Sequence, residues 1–150
     1  MSTGRVFITT GMARTCLAAV RSLGRQGLEV TVGEEGRLPL AGLSRYCQRT
    51  VRYTSPETDP HIFMDWIRDH LRRERYDMVL PVDQYTSFLF SKNRDELASW
   101  TKIPVAEFPV FQQAYDKAKT MRVALEAGIP CPRTAFVHTR QEVEALARQT

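Results

Sequence analysis

Short apolar, β-branched runs alternate along this chain with longer stretches whose apolar residues recur every three or four positions, and that alternation most constrains how it can fold. Val6-Phe7-Ile8 reads as a first strand, with Gly11 marking the turn behind it. Cys16, Leu17, Val20 and Leu23 then form the apolar stripe of a helix. Gly27 is placed to end that helix, because glycine tolerates the left-handed conformation of a helix C-terminus. Leu28-Glu29-Val30-Thr31-Val32 follows as a second strand. Strand, helix and strand within about 30 residues make a βαβ unit. Connections of that length are too long for hairpins and imply a parallel sheet covered by helices.

The rest of the chain continues the pattern. Gly33, Gly36, Pro39 and Gly42 interrupt regular structure, so residues 33–50 are expected to form a loop with one helical turn near 43–46. Val51-Arg52-Tyr53 is a short third strand. Asp59-Pro60 is a strong helix start, a side-chain cap followed by a ring fixed at helical φ. That helix is expected to bury Ile62, Phe63, Trp66, Ile67 and Leu71. Met78-Val79-Leu80-Pro81-Val82 is apolar throughout, as a strand covered on both faces should be. Leu89 and Leu97 fall in two short helices, and Lys102-Ile103-Pro104-Val105 reads as a fifth strand. The fold class expected is α/β: a doubly wound, mostly parallel Rossmann-like sheet flanked by helices, followed after about residue 105 by a helical C-terminal extension. There, a helix over 117–127 stops at Gly128-Ile129-Pro130. Thr134-Ala135-Phe136-Val137 is a further strand candidate, and Thr139 and Glu142 have capping-box spacing ahead of Val143 and Leu146. A new strand and helix after a finished α/β domain suggest a second domain that continues past Thr150. A terminal helix docked on the sheet is the alternative.

Composition narrows the class. The 150 residues suffice for one sizeable core, and 43% hydrophobic with 25% charged residues is a soluble globular balance. Twenty-one Lys and Arg against 17 Asp and Glu leave a net charge of +4, suited to a phosphate-bearing ligand but too small to mark a nucleic-acid binder. No apolar run approaches the roughly 18 residues of a membrane helix. The opening Met1-Ser2-Thr3-Gly4-Arg5 lacks the apolar core and small-residue cleavage site of a signal peptide. Cys16, Cys47 and Cys131 are odd in number and form no CxxC pair, which argues against a disulfide framework or zinc site and for a reducing cytoplasm.

Ligands of open parallel sheets bind beyond the carboxyl ends of the strands, and three segments qualify. In Thr9-Thr10-Gly11-Met12-Ala13-Arg14, amides at the turn could hold an anion. Arg14 in the first helical turn opposes the helix dipole unless an anionic ligand shares it; an arginine pointing into water is an equal alternative. Counting G-x-G-x-x-G from Gly11 finds Ala13 and Cys16 where glycines belong, which disfavours a dinucleotide, and no P-loop pattern occurs. In Pro81-Val82-Asp83-Gln84-Tyr85-Thr86, Asp83 could accept hydrogen bonds from an amine or hydroxyl, although capping the next helix is the commoner role. In Tyr115-Asp116-Lys117-Ala118-Lys119, Asp116 caps a helix and Lys117 lies at its start; taken alone this is a solvated helix end. Arg68, Arg72, Arg73 and Arg75 are interrupted by Asp69 and Glu74 and read as a solvated helix face. His61, His70 and His138 lack metal-ligand spacing, and no nucleophile–base set stands out.

Four stretches together resemble the N-terminal (pre-ATP-grasp) domain of ATP-grasp ligases, closest to carbamoyl-phosphate synthase large-subunit-like and amino-acid-ligase-like members. They are Ile8 through Arg14 with its helix, Pro39-Leu40-Ala41-Gly42-Leu43-Ser44-Arg45-Tyr46-Cys47, Val79-Leu80-Pro81-Val82-Asp83, and Asp116-Lys117 through Gly128-Ile129-Pro130-Cys131-Pro132-Arg133-Thr134. The last is the most specific. The resemblance implies a division into a Rossmann-like domain over 1–115 and the start of an ATP-grasp domain over 116–150. It implies ATP and magnesium as cofactors of the whole enzyme, activation of a carboxylate as an acyl phosphate, and attack by an amine or similar nucleophile. It assigns Lys117 to the nucleotide phosphates and Gly11, Arg14 and Asp83 to the substrate side of the cleft. The partners implied are a small-molecule carboxylate or amine, with no nucleic acid and no membrane; a homodimer is left open. Most nucleotide contacts and the magnesium carboxylates of such enzymes lie downstream of Thr150, so the 150 residues alone are expected to be inactive and to bind nucleotide weakly or not at all. Thr10 stands where relatives often have a second glycine. The rival readings are an NAD(P)-binding domain of an oxidoreductase and a non-enzymatic small-molecule-binding module, and the reading frame beyond Thr150 distinguishes them from a ligase.

Overall fold

A computed structural model describes residues 4–132 and 134–148; Met1-Ser2-Thr3, Arg133 and Thr150 of the sequence argument lie outside them. The chain divides into two compact units, Met1–Phe111 and Gln112–Thr150. The first is built on β1 (Arg5–Ile8), α1 (Arg14–Arg25), β2 (Glu29–Glu34), a 3-10 turn (Leu40–Leu43), β3 (Cys47–Arg52), α2 (Pro60–Arg73), β4 (Met78–Leu80), α3 (Gln84–Lys92) and α4 (Arg94–Leu97). Then come α5 (Phe108–Tyr115), α6 (Lys117–Glu126) and α7 (Arg140–Ala147). This is the α/β class expected from the alternating pattern.

The four strands are parallel, in the order β3-β2-β1-β4. Successive side chains of a strand point to opposite faces, and β1 divides its residues accordingly. Val6 and Ile8 pack with Val30 and Val32 of β2 and with Cys16 and Val20 of α1. Phe7 packs on the other face with Phe63, Ile67 and Leu71 of α2 and with Leu89 and Phe90 of α3. Helices therefore cover both faces. Because β2 lies on one side of β1 and β4 on the other, the winding reverses between β1 and β4, and a crevice opens there beyond the strands' carboxyl ends.

Several sequence expectations are corrected. Gly33 does not end the second strand: β2 runs on through Gly33 and Glu34. A Cβ at Gly33 would sit 2.7 Å from ring atoms of both Phe7 and Tyr53, so the glycine is there to admit two aromatic rings beside a continuous strand. The third strand is consequently earlier and longer than expected, and the helical turn of the 33–50 segment falls at Leu40–Leu43. Lys102-Ile103-Pro104-Val105 is not a fifth strand; it makes one bridge, Met78 to Lys102. Val79 N–H donates to Lys102 O at 2.9 Å, but the next rungs would need donors from Pro104 and Pro81, which have no N–H. On α2, Ile62 is 52% exposed, whereas Met64 and His70 join the buried face.

The caps form as expected. Asp59 accepts from Ile62 N–H, and Asp116 accepts from Ala118 and Lys119 N–H. Thr139 and Glu142 complete a reciprocal capping box. Gly27 and Gly128 take positive φ of 83° and 70° behind α1 and α6. Thr134-Ala135-Phe136-Val137 is not a strand, since no described residue of its unit offers a strand to pair with. Among the described residues no helix is long and apolar enough to cross a membrane, and all three cysteines are free thiols.

Candidate functional site

The crevice between β1 and β4 is closed at its base by Thr9, whose N–H donates to Leu80 O at 3.2 Å. The next residue, Thr10, has φ 60° and is the only non-glycine with positive φ among the described residues. A β-branched side chain rarely adopts that conformation, and it persists only where surrounding groups hold it. Here two groups hold it. Thr10 N–H donates to the hydroxyl of Tyr53 at 2.8 Å, and Thr10 Oγ1 donates to Asp83 Oδ2.

Asp83 caps the next helix, the commoner of the two roles considered for it, and its second oxygen is also engaged within the protein. Its Oδ1 caps α3, accepting from Tyr85 N–H at 2.8 Å and Thr86 N–H at 2.9 Å. Its Oδ2 accepts from the hydroxyls of Thr10 and Thr86 and so fastens the loop after β1 to the loop after β4. Thr86 is fully buried and also lies 3.3 Å, hydroxyl to hydroxyl, from Thr9.

The amides of the loop after β1 are engaged within the fold. Gly11 N–H donates to Gly33 O at 3.0 Å, and Gly11 O accepts from Ala41 N–H at 2.9 Å. Met12 N–H donates to Glu34 Oε2 at 2.7 Å, and Ala13 N–H donates to Thr10 O at 3.0 Å. The anion beside this turn is thus Glu34, a buried side chain of the protein itself, whose Oε1 also accepts from Glu35 N–H. Gly11 is required by close approach: a Cβ there would stand 2.6 Å from Pro39 Cβ and Val32 Cγ1. Arg14 opens α1, is exposed, and has no ion pair to any described residue. No acidic residue occupies the first turn of that helix.

Gly11 and Asp83 are therefore brought together through Thr10, with Arg14 at the first position of α1, three residues after Gly11. Lys117 belongs to the other unit. It is exposed at the first position of α6, on the wall of a cleft of about 470 Å³ that Met121, Thr134, Phe136 and His138 also line. Sequence reasoning missed Glu34 and Tyr53. The two, with Thr10, Glu35, Glu57 and Asp83, line a cleft of about 200 Å³ at the strand ends. Tyr53 is 5% exposed, and burial pushes its phenol well above the usual tyrosine range, so it remains a neutral hydroxyl at Thr10. Their only sequence signal was a place near the carboxyl end of a strand; for Glu34 that required the true end of β2, whereas Tyr53 already closed the expected third strand and nothing local marked it as a partner of Thr10. Among the described residues no group of His, Cys, Asp or Glu is arranged to hold a metal ion.

No family model matches the sequence, and no curated protein sequence matches it. Solved structures do match in fold. An L-amino acid ligase from Bacillus licheniformis superposes with a TM-score of 0.69 at 16% identity, over 99% of this chain and 41% of the ligase. N5-carboxyaminoimidazole synthetase from Staphylococcus aureus, solved with ADP, gives 0.67 at 10% identity over 99% of this chain and 36% of its own. Glycinamide-RNase-transformylase T from Mycobacterium tuberculosis gives 0.63 at 20% identity, covering 95% and 38%. The chain thus spans about two fifths or less of each, and it shares the fold of that part of these ATP-grasp enzymes.

Proposed function

We propose that this chain is the N-terminal, substrate-side part of an ATP-grasp ligase, with a Rossmann-like domain over 1–115 and the start of the ATP-grasp domain over 116–150. The observation that supports this most is the fold match over 99% of the chain to an L-amino acid ligase. The strained Thr10 latch at the winding reversal, where α/β sheets bind their ligands, supports it independently.

In this reading ATP and magnesium supply the activation of a carboxylate as an acyl phosphate, which an amine or similar nucleophile then attacks with loss of phosphate. This chain's residues hold and orient. Asp83 and Tyr53 fix the loop that presents Gly11 and Arg14. Arg14, a cation without a counter-charge at the mouth of α1, attracts the anionic end of the substrate. Lys117, at the start of α6, receives the nucleotide phosphates, a role that suits an exposed ammonium. Among the described residues no carboxylate cluster is arranged to hold magnesium, and in this reading its ligands come from the rest of the ATP-grasp domain. The substrate is a small-molecule carboxylate or amine, the protein works in the cytoplasm, and its assembly as a homodimer is part of the same proposal.

Titration of magnesium ATP into the protein encoded by the full reading frame tests this. Saturable binding is expected, weakened about tenfold or more by Lys117→Ala. Arg14→Ala is expected to raise the substrate KM while leaving the melting temperature unchanged. A full-length protein that binds NAD and no magnesium nucleotide overturns the proposal.

A further inference from the structure

We infer that the groove walled by Trp66 and edged by Arg52 is a second ligand site, one that takes a small carboxylate carrying a flat aromatic body. The groove is an open depression offering about 670 Å³, more than the cleft at Thr10. Thr10, Gly11, Arg14 and Asp83 do not line it.

Its aromatic wall is fixed in place. The Trp66 ring is stacked on His70 with centroids 4.5 Å apart and planes 17° apart, and the Tyr53 ring meets it edge-on at 5.7 Å. A ring held in this way gives a flat apolar surface without an ordering cost on binding.

Its charged edge is equally defined. Arg52 Nε donates to Glu35 O at 2.7 Å, which sets the plane of the guanidinium and leaves its terminal nitrogens for a two-pronged contact with a carboxylate. No carboxylate of any described residue lies within 4.0 Å of Arg52, whereas Arg49 on the same strand is paired with Glu74 at 2.7 Å. Thr54 and Ser55 also line the groove. The space around Gly36 is open: a Cβ there would approach nothing closer than Glu34 Cγ at 3.9 Å. Glu35 is the one acid on the lining, and it also borders the Thr10 cleft.

Benzoate is the probe, followed by saturation-transfer NMR of its ring protons and by tryptophan fluorescence of a Trp100→Phe protein, in which Trp66 is the remaining indole. Saturable benzoate binding is expected, reduced about tenfold or more by Arg52→Gln and likewise when benzamide replaces benzoate. Acetate, which lacks the ring, is expected to compete weakly, and Glu35→Gln to bind benzoate as tightly or more so. Equal benzoate affinity in the wild-type and Arg52→Gln proteins overturns the inference, as does an absence of saturable binding by a wild-type protein whose melting curve is cooperative. The experiment contains no nucleotide, so its outcome is independent of whether the protein is a ligase.

Discussion

Thr10 carries the most information of any single residue, because a threonine at φ 60° is stable only through its two hydrogen bonds to Tyr53 and Asp83. Replacing it separates the strain from the bonds. Thr10→Val keeps the branched shape and the strain but leaves Asp83 Oδ2 one donor short, at an expected cost of about 1–3 kcal/mol. Thr10→Gly loses the same bond while relieving the backbone, so its net change is expected within about 1 kcal/mol of wild type. Urea denaturation of the two variants checks the order, and a valine variant as stable as the glycine variant contradicts it. His70 makes a second prediction. Its ring lies between Trp66 and Tyr76, with Nε2 3.1 Å from the Tyr76 hydroxyl. Burial, against the pull of Glu74 and with the push of Arg49, Arg73 and Arg5, lowers its pKa to about 4. The unfolded chain therefore takes up a proton near pH 6.5 that the folded chain refuses until about pH 4. Stability should fall as pH drops through that window, by on the order of 3 kcal/mol in all. His70→Phe should flatten that slope in denaturant midpoints taken from pH 7 to pH 4. Neither residue's role was readable beforehand: Thr10 and Tyr53 stand 43 positions apart, and only the sheet brings them together.

Among the elements, the helices were readable and the strand ends were not. Asp59, Asp116 and Thr139 announced their helices because a cap is local chemistry, settled within four residues. β2 was cut short on paper at Gly33, since a glycine that breaks a strand and one that makes room for two rings look alike until the rings are placed. Gly33→Ala tests that explanation. Its methyl must displace Phe7 or Tyr53, at an expected cost of about 1–3 kcal/mol in thermal or urea unfolding. Because Tyr53 supports Thr10, the same change should loosen the loop after β1, seen as faster amide exchange at Thr10. An alanine variant with wild-type stability would mean the glycine has another reason. The failed fifth strand is the converse lesson: Ile103 and Val105 have the right character, but backbone donors decide pairing, and Pro81 and Pro104 lack them.

For the molecule as a whole, apolar periodicity sufficed to give a two-faced parallel sheet, because each face of β1 must find its own helices. What periodicity could not give is the site, which depends on where the winding reverses and on which side chains the register then sets side by side. Asp83 and Gly11 were legible as candidates because they flank that reversal; Glu34 was not, because β2 runs on past Gly33, and Tyr53 was not, because only the sheet brings it to Thr10. The fold match to ATP-grasp enzymes is confined to about two fifths or less of their length, and the proposed ligase function rests on it. The most direct test is release of ADP from magnesium ATP by the protein of the full reading frame, assayed with a panel of small carboxylic acids alone and with amines. The expected result is ADP release that depends on the acid, is coupled to amide formation when the amine is present, and falls sharply in Lys117→Ala. ADP release indifferent to every acid, or unchanged by the loss of Lys117, would contradict the account.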